Sequence, residues 1–189
     1  MSQQTWAGAI RELGRSAVRH KLITAFALLC VAGSLTVIAV ASGPSSPGVP
    51  VDPPAPAFSL TVLGHAGEQV SLHEYANRPL IVNFFASWCD PCKQETPLLA
   101  RFYRAEHGRV ALVGLDENDI MSHALSFTAA AGVTYPVGWD PEVTAASAYG
   151  VVALPQTFFL NAKHRIVDRV FGAVTTADLN HGIALATVG

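Results

Sequence analysis

The chain has 189 residues, half of them apolar, with 12 basic and 14 acidic side chains and three cysteines; that is room for one domain and some extra sequence. The net charge of −2 hides an asymmetry: residues 1–21 carry Arg11, Arg15, Arg19 and Lys21 against Glu12 alone, whereas the remainder holds eight basic residues against thirteen acidic ones. An acidic remainder without a basic stripe excludes nucleic acid from the expected partners.

In residues 1–21 the three arginines recur four apart and share one helical face, with Trp6 as an interfacial anchor. Leu22 to Ala41 follows as a run of 20 residues without a charge, long enough to cross about 30 Å of hydrocarbon as a helix. Basic residues precede the run and none follows it until Arg78. The positive-inside rule therefore predicts a cytoplasmic N-terminus and an exported remainder. The run exceeds the roughly 7–15 residues of a signal-peptide core, which favours an uncleaved anchor over cleavage after Ala39-Val40-Ala41. Cys30, within the span, reads as a small hydrophobe. Residues 42–56, rich in Pro, Gly and Ser, form a semi-stiff spacer, and a single domain is expected over 57–189.

Within that domain, residues 58–63 and 69–72 flank Gly64-His65-Ala66-Gly67 and read as a hairpin. Residues 80–86 make a continuous apolar strand suited to the middle of a sheet. A helix is expected from Pro91 to Glu106, with Leu98, Leu99, Phe102 and Tyr103 on one side and a kink at Pro97. A second buried strand spans 111–115. Asp116-Glu117 follow at the strand end where ligands gather in open α/β sheets; a solvated loop is the favoured reading there, and contact with the active site is the alternative. A second helix spans 122–131. A short helix at 142–149 comes next. Strands at 156–160 and 165–171 pair across residues 161–164, and a helix over 176–186, capped by Thr175 or Thr176, closes the chain. This order predicts an α/β fold, a mixed sheet with helices on both faces.

Chemistry concentrates in Trp88-Cys89-Asp90-Pro91-Cys92. Two cysteines within one helical turn can close a small disulfide. At a strand-to-helix junction the first sulfur meets the unpaired N–H groups of the helix N-terminus, which favour thiolate over thiol. Pro91 suits the first helical turn. The reading is a reversible dithiol, Cys89 the exposed nucleophile and Cys92 the deeper resolving thiol. A zinc site would want a second Cys pair, haem attachment would want His where Lys93 stands, and a purely structural disulfide would close too small a loop to stabilise much.

Together with Gly150-Val151-Val152-Ala153-Leu154-Pro155-Gln156-Thr157-Phe158-Phe159, this motif is similar to the thioredoxin superfamily. The stretch from Ala86 to Pro97, the N-terminal hairpin, Tyr135-Pro136-Val137 and the anchor-plus-linker layout resemble more narrowly the TlpA/ResA/CcmG group of membrane-anchored thiol–disulfide oxidoreductases. The resemblance spans about residues 57–186. It implies a thioredoxin-like fold in the bacterial cell membrane, its catalytic domain extracytoplasmic, with Cys89–Cys92 as the redox pair and no cofactor. It implies that Pro155 is a cis-proline facing the pair, that Leu154 offers its backbone to an extended substrate, and that Trp88 shields the disulfide and shapes the docking surface. Glu95 matches the acidic residue the group places behind its cysteines. Three residues after Cys92 on the same helical face, and partly buried, it is suited to exchange a proton with that thiol; an exposed first-turn carboxylate complementing the helix dipole is the plain alternative.

The expected role is reduction of disulfides on exported proteins such as apocytochrome c, with a membrane thiol reductase supplying electrons, since the compartment is oxidising. Asp90 sets a carboxylate between the two sulfurs and opposes thiolate formation, which predicts a potential nearer thioredoxin, about −270 mV, than DsbA, about −120 mV. The competing enzyme reading is a disulfide oxidase or isomerase. A peroxiredoxin would show Thr-x-x-Cys where Ser87-Trp88 precede Cys89. From another class, a copper chaperone would use Cys89, Cys92 and a His, but the histidines show no paired spacing, and His123 and His181 read as surface or cap residues. A purely structural tethered domain is the blandest alternative.

Overall fold

A computed structural model describes residues 52–106 and 109–188. The basic lead, the span expected at 22–41 and the linker up to residue 51 lie outside them. Among the described residues no helix is long and apolar enough to cross a membrane.

Seven strands form one sheet: β1 (Ser59–Val62), β2 (Gln69–Ser71), β3 (Leu80–Phe85), β4 (Ala111–Glu117), β5 (Val137–Asp140), β6 (Gln156–Leu160) and β7 (Ile166–Phe171). Their order is β2-β1-β5-β4-β3-β6-β7. The β3–β4 and β4–β5 pairs are parallel and the others antiparallel, so the sheet is mixed. Among the described residues four helices accompany it: α1 (Asp90–Glu106), α2 (Met121–Ala130), α3 (Thr144–Tyr149) and α4 (Thr176–Val188), with a 3-10 turn at Leu72–Tyr75. This is a thioredoxin-like arrangement with an added N-terminal hairpin.

Strand β3 lies beside the middle of the sheet, between β4 and β6. All six of its residues are buried, and alternation along a strand sends them to opposite faces. Leu80, Val82 and Phe84 pack with Tyr149 of α3 and with Phe158 and Leu160 of β6. Ile81 and Phe85 pack with Leu99 and Ala100 of α1, Ala124 of α2 and Leu179 of α4. Each such side chain removed from water contributes about 1.5–3 kcal/mol, which makes β3 a firm base for the turn into Cys89. Asn83, by the same alternation, faces α1.

Two expectations need correction, and one strand is unanticipated. Strand β4 continues through Asp116 to Glu117, so these residues are not a solvated loop; pairing with β3 and β5 carries the backbone two residues further. β5 is a strand that the sequence pattern hides. Gly138 weakens its propensity, yet a Cβ there would lie 3.0–3.1 Å from Val70, Leu115 and Leu60, so the close approach of these side chains from β2, β4 and β1 leaves little room for anything larger than glycine. Helix α3 begins at Thr144 rather than Glu142, because Asp140 caps it from a distance: its carboxylate accepts the amides of Thr144, Ala145 and Ala146.

The chain enters the domain far from the Cys pair. The Ala55 amide donates to the His164 carbonyl and the Ile166 amide to that of Pro53, both at the β6–β7 turn. Because Gln156 pairs with Phe84, that turn lies at the opposite end of the sheet from the C-terminus of β3.

Candidate active site

Beyond Phe85 the chain turns through Ala86, Ser87 and Trp88 into α1, and Cys89 takes the capping place. Its carbonyl accepts the Lys93 amide at 3.2 Å, and its sulfur accepts the Cys92 amide at 3.2 Å. The sulfur thus occupies the position in which a side chain satisfies an orphan helix N–H, and this contact favours the thiolate in the reduced form. Cys89 and Cys92 are joined by a disulfide, with S–S 2.02 Å and Cα–Cα 5.2 Å. Cys89 is 4% exposed and Cys92 fully buried. Cys89, the expected nucleophile, is therefore the more accessible sulfur, but not the openly exposed one the sequence suggests, because it packs into the same apolar cluster as Cys92, Ala86 and Phe85.

A rim of exposed apolar side chains surrounds this end of the sheet. Trp88 is 54% exposed, Ile120 62% and Val152 84%. The Trp88 indole N–H donates to the Asn118 carbonyl at 3.1 Å, which pins the ring over the β4–α2 loop. The Leu154–Pro155 bond is cis. Pro155 is buried and Leu154 half-buried against both apolar clusters. Since Gln156 lies opposite Phe84, both residues stand level with the end of β3 from which the Cys89 segment departs. Asp90, fully exposed, bonds to Lys93 Nζ at 2.7 Å, and this partner holds its carboxyl below the usual carboxylate range.

Glu95, on the next turn of α1 after Cys92, is 2% exposed. One carboxylate oxygen accepts from Asn83 Nδ2 and the other from the Val174 amide, each at 2.8 Å. Burial pushes its pKa up to about 7, against these two donors, which hold it down. The carboxyl can therefore gain or lose a proton near neutrality. Asn83 Nδ2 also donates to Thr157 Oγ1 at 3.0 Å, two residues past Pro155. The Tyr135 phenol, buried and without a hydrogen-bond partner, is pushed upward by burial and by the nearby Glu95 charge.

A second acidic group, which reads in the sequence as a solvated loop, lies at the ends of β4 and β5. The carboxyl of Asp116 is fully buried and neither oxygen meets a hydrogen-bond partner; burial, then the neighbouring Asp119, push it up to about 8. Glu117 is raised to about 6 by burial and by Asp140. Asp119 accepts the Ser87 amide at 2.6 Å and so ties this loop to the segment leading into Cys89. Asn83 was also missed, although it carried a signal: it is the one polar residue inside the apolar run of β3. His123 and His181 are exposed on α2 and α4. Among the described residues no group of three His, Cys, Asp or Glu is arranged to hold a metal ion.

Comparison with known proteins agrees with this geometry. The chain is 30% identical over 165 residues to the thiol-disulfide oxidoreductase ResA of Bacillus subtilis strain 168, covering 86% of this chain and 89% of that protein. It is 34% identical over 125 residues to the thiol:disulfide interchange protein DsbE of Allochromatium vinosum, covering 66% and 68%. Among solved structures, a thioredoxin-family thiol:disulfide interchange protein from Chlorobium tepidum TLS superimposes with a TM-score of 0.62 at 28% identity, covering 71% of this chain and 96% of that one. The AhpC/TSA family profile matches residues 51–169. With a helix-capping disulfide at its centre and relatives of this kind, the chain belongs to the AhpC/TSA family and is a thiol–disulfide oxidoreductase of the ResA/DsbE type.

Proposed function

We propose that the protein is a membrane-tethered, extracytoplasmic reductase of disulfides on exported proteins, in line with the apocytochrome c role that the sequence resemblance implies. The observation that carries the reading is the buried carboxyl of Glu95 one helical turn behind a disulfide whose outer sulfur caps the helix. In the reduced protein the Cys89 thiolate attacks a client disulfide; a mixed disulfide forms at Cys89 and one client thiolate leaves. The Cys92 thiol then gives its proton to the Glu95 carboxylate. The resulting Cys92 thiolate attacks the Cys89 sulfur, forming the intramolecular disulfide and releasing the second client thiolate. Two electrons pass to the client, and a membrane thiol reductase returns them.

In this reading Trp88, Leu154 and Pro155 hold the client: the indole supplies apolar surface, and the Leu154 backbone accepts an extended segment beside the pair. The membrane tether is the run at 22–41, joined through the Pro-rich linker. Asp90 beside the sulfurs makes the couple a reducing one. The test is twofold. A Cys92→Ser variant accumulates mixed disulfides at Cys89 with exported proteins, and a redox titration returns a potential nearer about −270 mV than about −120 mV. A value near the latter would reassign the protein as an oxidase.

A further inference from the structure

We propose that Asn83 is a positioning residue for the proton transfer between Cys92 and Glu95, its carboxamide serving both protonation states of Glu95 by turning over. The inference rests on the assignment of Glu95 as the group that takes the Cys92 proton. Asn83 is fully buried on β3, with its amide nitrogen 2.8 Å from Glu95 Oε1 and 3.0 Å from Thr157 Oγ1. With Glu95 ionised, the two N–H groups of Asn83 are spent on these two oxygens. The other end, Oδ1, is buried and meets no hydrogen-bond partner.

That asymmetry has a chemical consequence. When the Cys92 thiol transfers its proton, the products are a Cys92 thiolate and a neutral Glu95 carboxyl, which now needs an acceptor. A half-turn of the Asn83 carboxamide brings Oδ1 to the place of Nδ2, where it accepts from the Glu95 hydroxyl and from the Thr157 hydroxyl together. The turn breaks no bond at the far end, because Oδ1 has none there. It does leave the Nδ2 hydrogens at that unpartnered end, a cost that only the two accepted hydroxyls offset and that returns the amide once Glu95 ionises again. A carboxamide is the side-chain group of this size that can be donor or acceptor at one place; aspartate would only accept, and leucine would do neither. The remaining groups facing Glu95 are the Val174 amide from the loop before α4 and the Tyr135 phenol ahead of β5. The amide is a fixed donor, and the tyrosine does not titrate near neutrality. Through Thr157 the same carboxamide joins the proton acceptor to the strand that begins after Pro155, the residue proposed to hold the client.

The test uses the full chain, reduced, and 5,5′-dithiobis(2-nitrobenzoate) at pH 5 to 9. The first thionitrobenzoate released reports attack by Cys89; the second reports resolution by Cys92. Asn83→Leu should move the inflection of the second phase upward by about one pH unit, because Glu95 loses a donor to its ionised form. The first phase should be unchanged. Asn83→Asp, which keeps the shape and serves if the leucine variant does not fold, should slow the second phase at pH 7 by about tenfold through like-charge repulsion. In a Glu95→Gln background the additional effect of either substitution should vanish. If Glu95→Gln shifts the second phase and the Asn83 variants do not, the role of Asn83 is overturned while the relay stands. If Glu95→Gln leaves the second phase unmoved, the relay itself falls and the Asn83 inference falls with it.

Discussion

Replacing Glu95 with glutamine tests the central electrostatic feature without any client. In the folded, oxidised protein its carboxyl sits at about 7, against about 4.3 for a free glutamate. Below the lower value the group is protonated in both folded and unfolded chains, and its contribution to stability is at its fullest. As pH rises toward 7 the unfolded chain releases the proton while the folded one still holds it, so stability falls; above 7 the loss is complete. Each unit of separation is worth about 1.4 kcal/mol, so the loss is about 3–4 kcal/mol. The glutamine of the variant cannot titrate. Its Oε1 can keep the Val174 amide, while its Nε2 meets Asn83 only if that carboxamide turns over, at a pH-independent cost of about 1–3 kcal/mol. The wild type should therefore be the more stable protein at pH 5, and the gap should close or invert by pH 8. Urea midpoints of the oxidised full-length proteins at half-unit intervals supply the comparison. Asp116 and Glu117 titrate in both proteins and drop out of the difference. A wild-type-minus-variant difference that stays flat from pH 5 to 8 would show that Glu95 keeps an ordinary carboxyl, and the proton-transfer role would lose its basis.

Asp116, raised to about 8, destabilises the fold in the same direction and over a longer range, so Asp116→Asn should remove much of the stability lost between about pH 4 and 8. Melting temperatures at pH 5 and pH 9 check this; an equal drop in both proteins would refute it. Gly182→Ala should destabilise by about 1–3 kcal/mol despite the gain of about 1 kcal/mol in helix propensity. Its Cβ would stand 2.4–2.5 Å from the Phe159 ring, and a chemical melt showing equal or greater stability would contradict the packing of α4 on β6. Asp119→Ala should free the Ser87 amide and loosen the turn into Cys89. Exchange of the Ser87 amide with deuterium should then quicken at least tenfold, and unchanged protection would mean that the loop is held elsewhere.

The parts of this molecule legible in the sequence were those governed by local rules. The apolar run of β3, the Cys pair at a strand-to-helix boundary and the hairpin with its glycines depend on alternation, capping and turn chemistry that neighbouring residues supply. The cap of α4 was legible too: Thr175 and Asp178 bond to each other reciprocally at the start of that helix. β5 was not, because its four residues become a strand by pairing with β1 and β4, where the partners of Gly138 are Val62 and Leu115, 76 and 23 residues away, and the glycine erases the local signal. Asp116 was misread for a related reason. Two acids after an apolar run look like solvent-facing residues, but the first of them is flanked in the sheet by Phe85 of β3 and Trp139 of β5, with Asp119 beside it, and is fully buried.

Asn83 shows where the boundary between the two kinds of information falls. A single polar residue in a strand buried on both faces costs stability unless a partner meets it, so its presence in the run announces a buried hydrogen-bond network. What the sequence withholds is the partner. Period two sends Asn83 to the α1 face, and the i, i+3 relation places Glu95 on the helical face shared with Cys92, but the distance between them depends on how α1 crosses β3, which α2, α4 and the Val174 loop decide together. The carboxyl and the carboxamide each make the other tolerable in the core. That mutual dependence leaves a carboxyl whose charge is neither fully stabilised nor fully forbidden, the condition under which a buried glutamate can exchange a proton with a thiol at neutral pH, as proposed for Cys92.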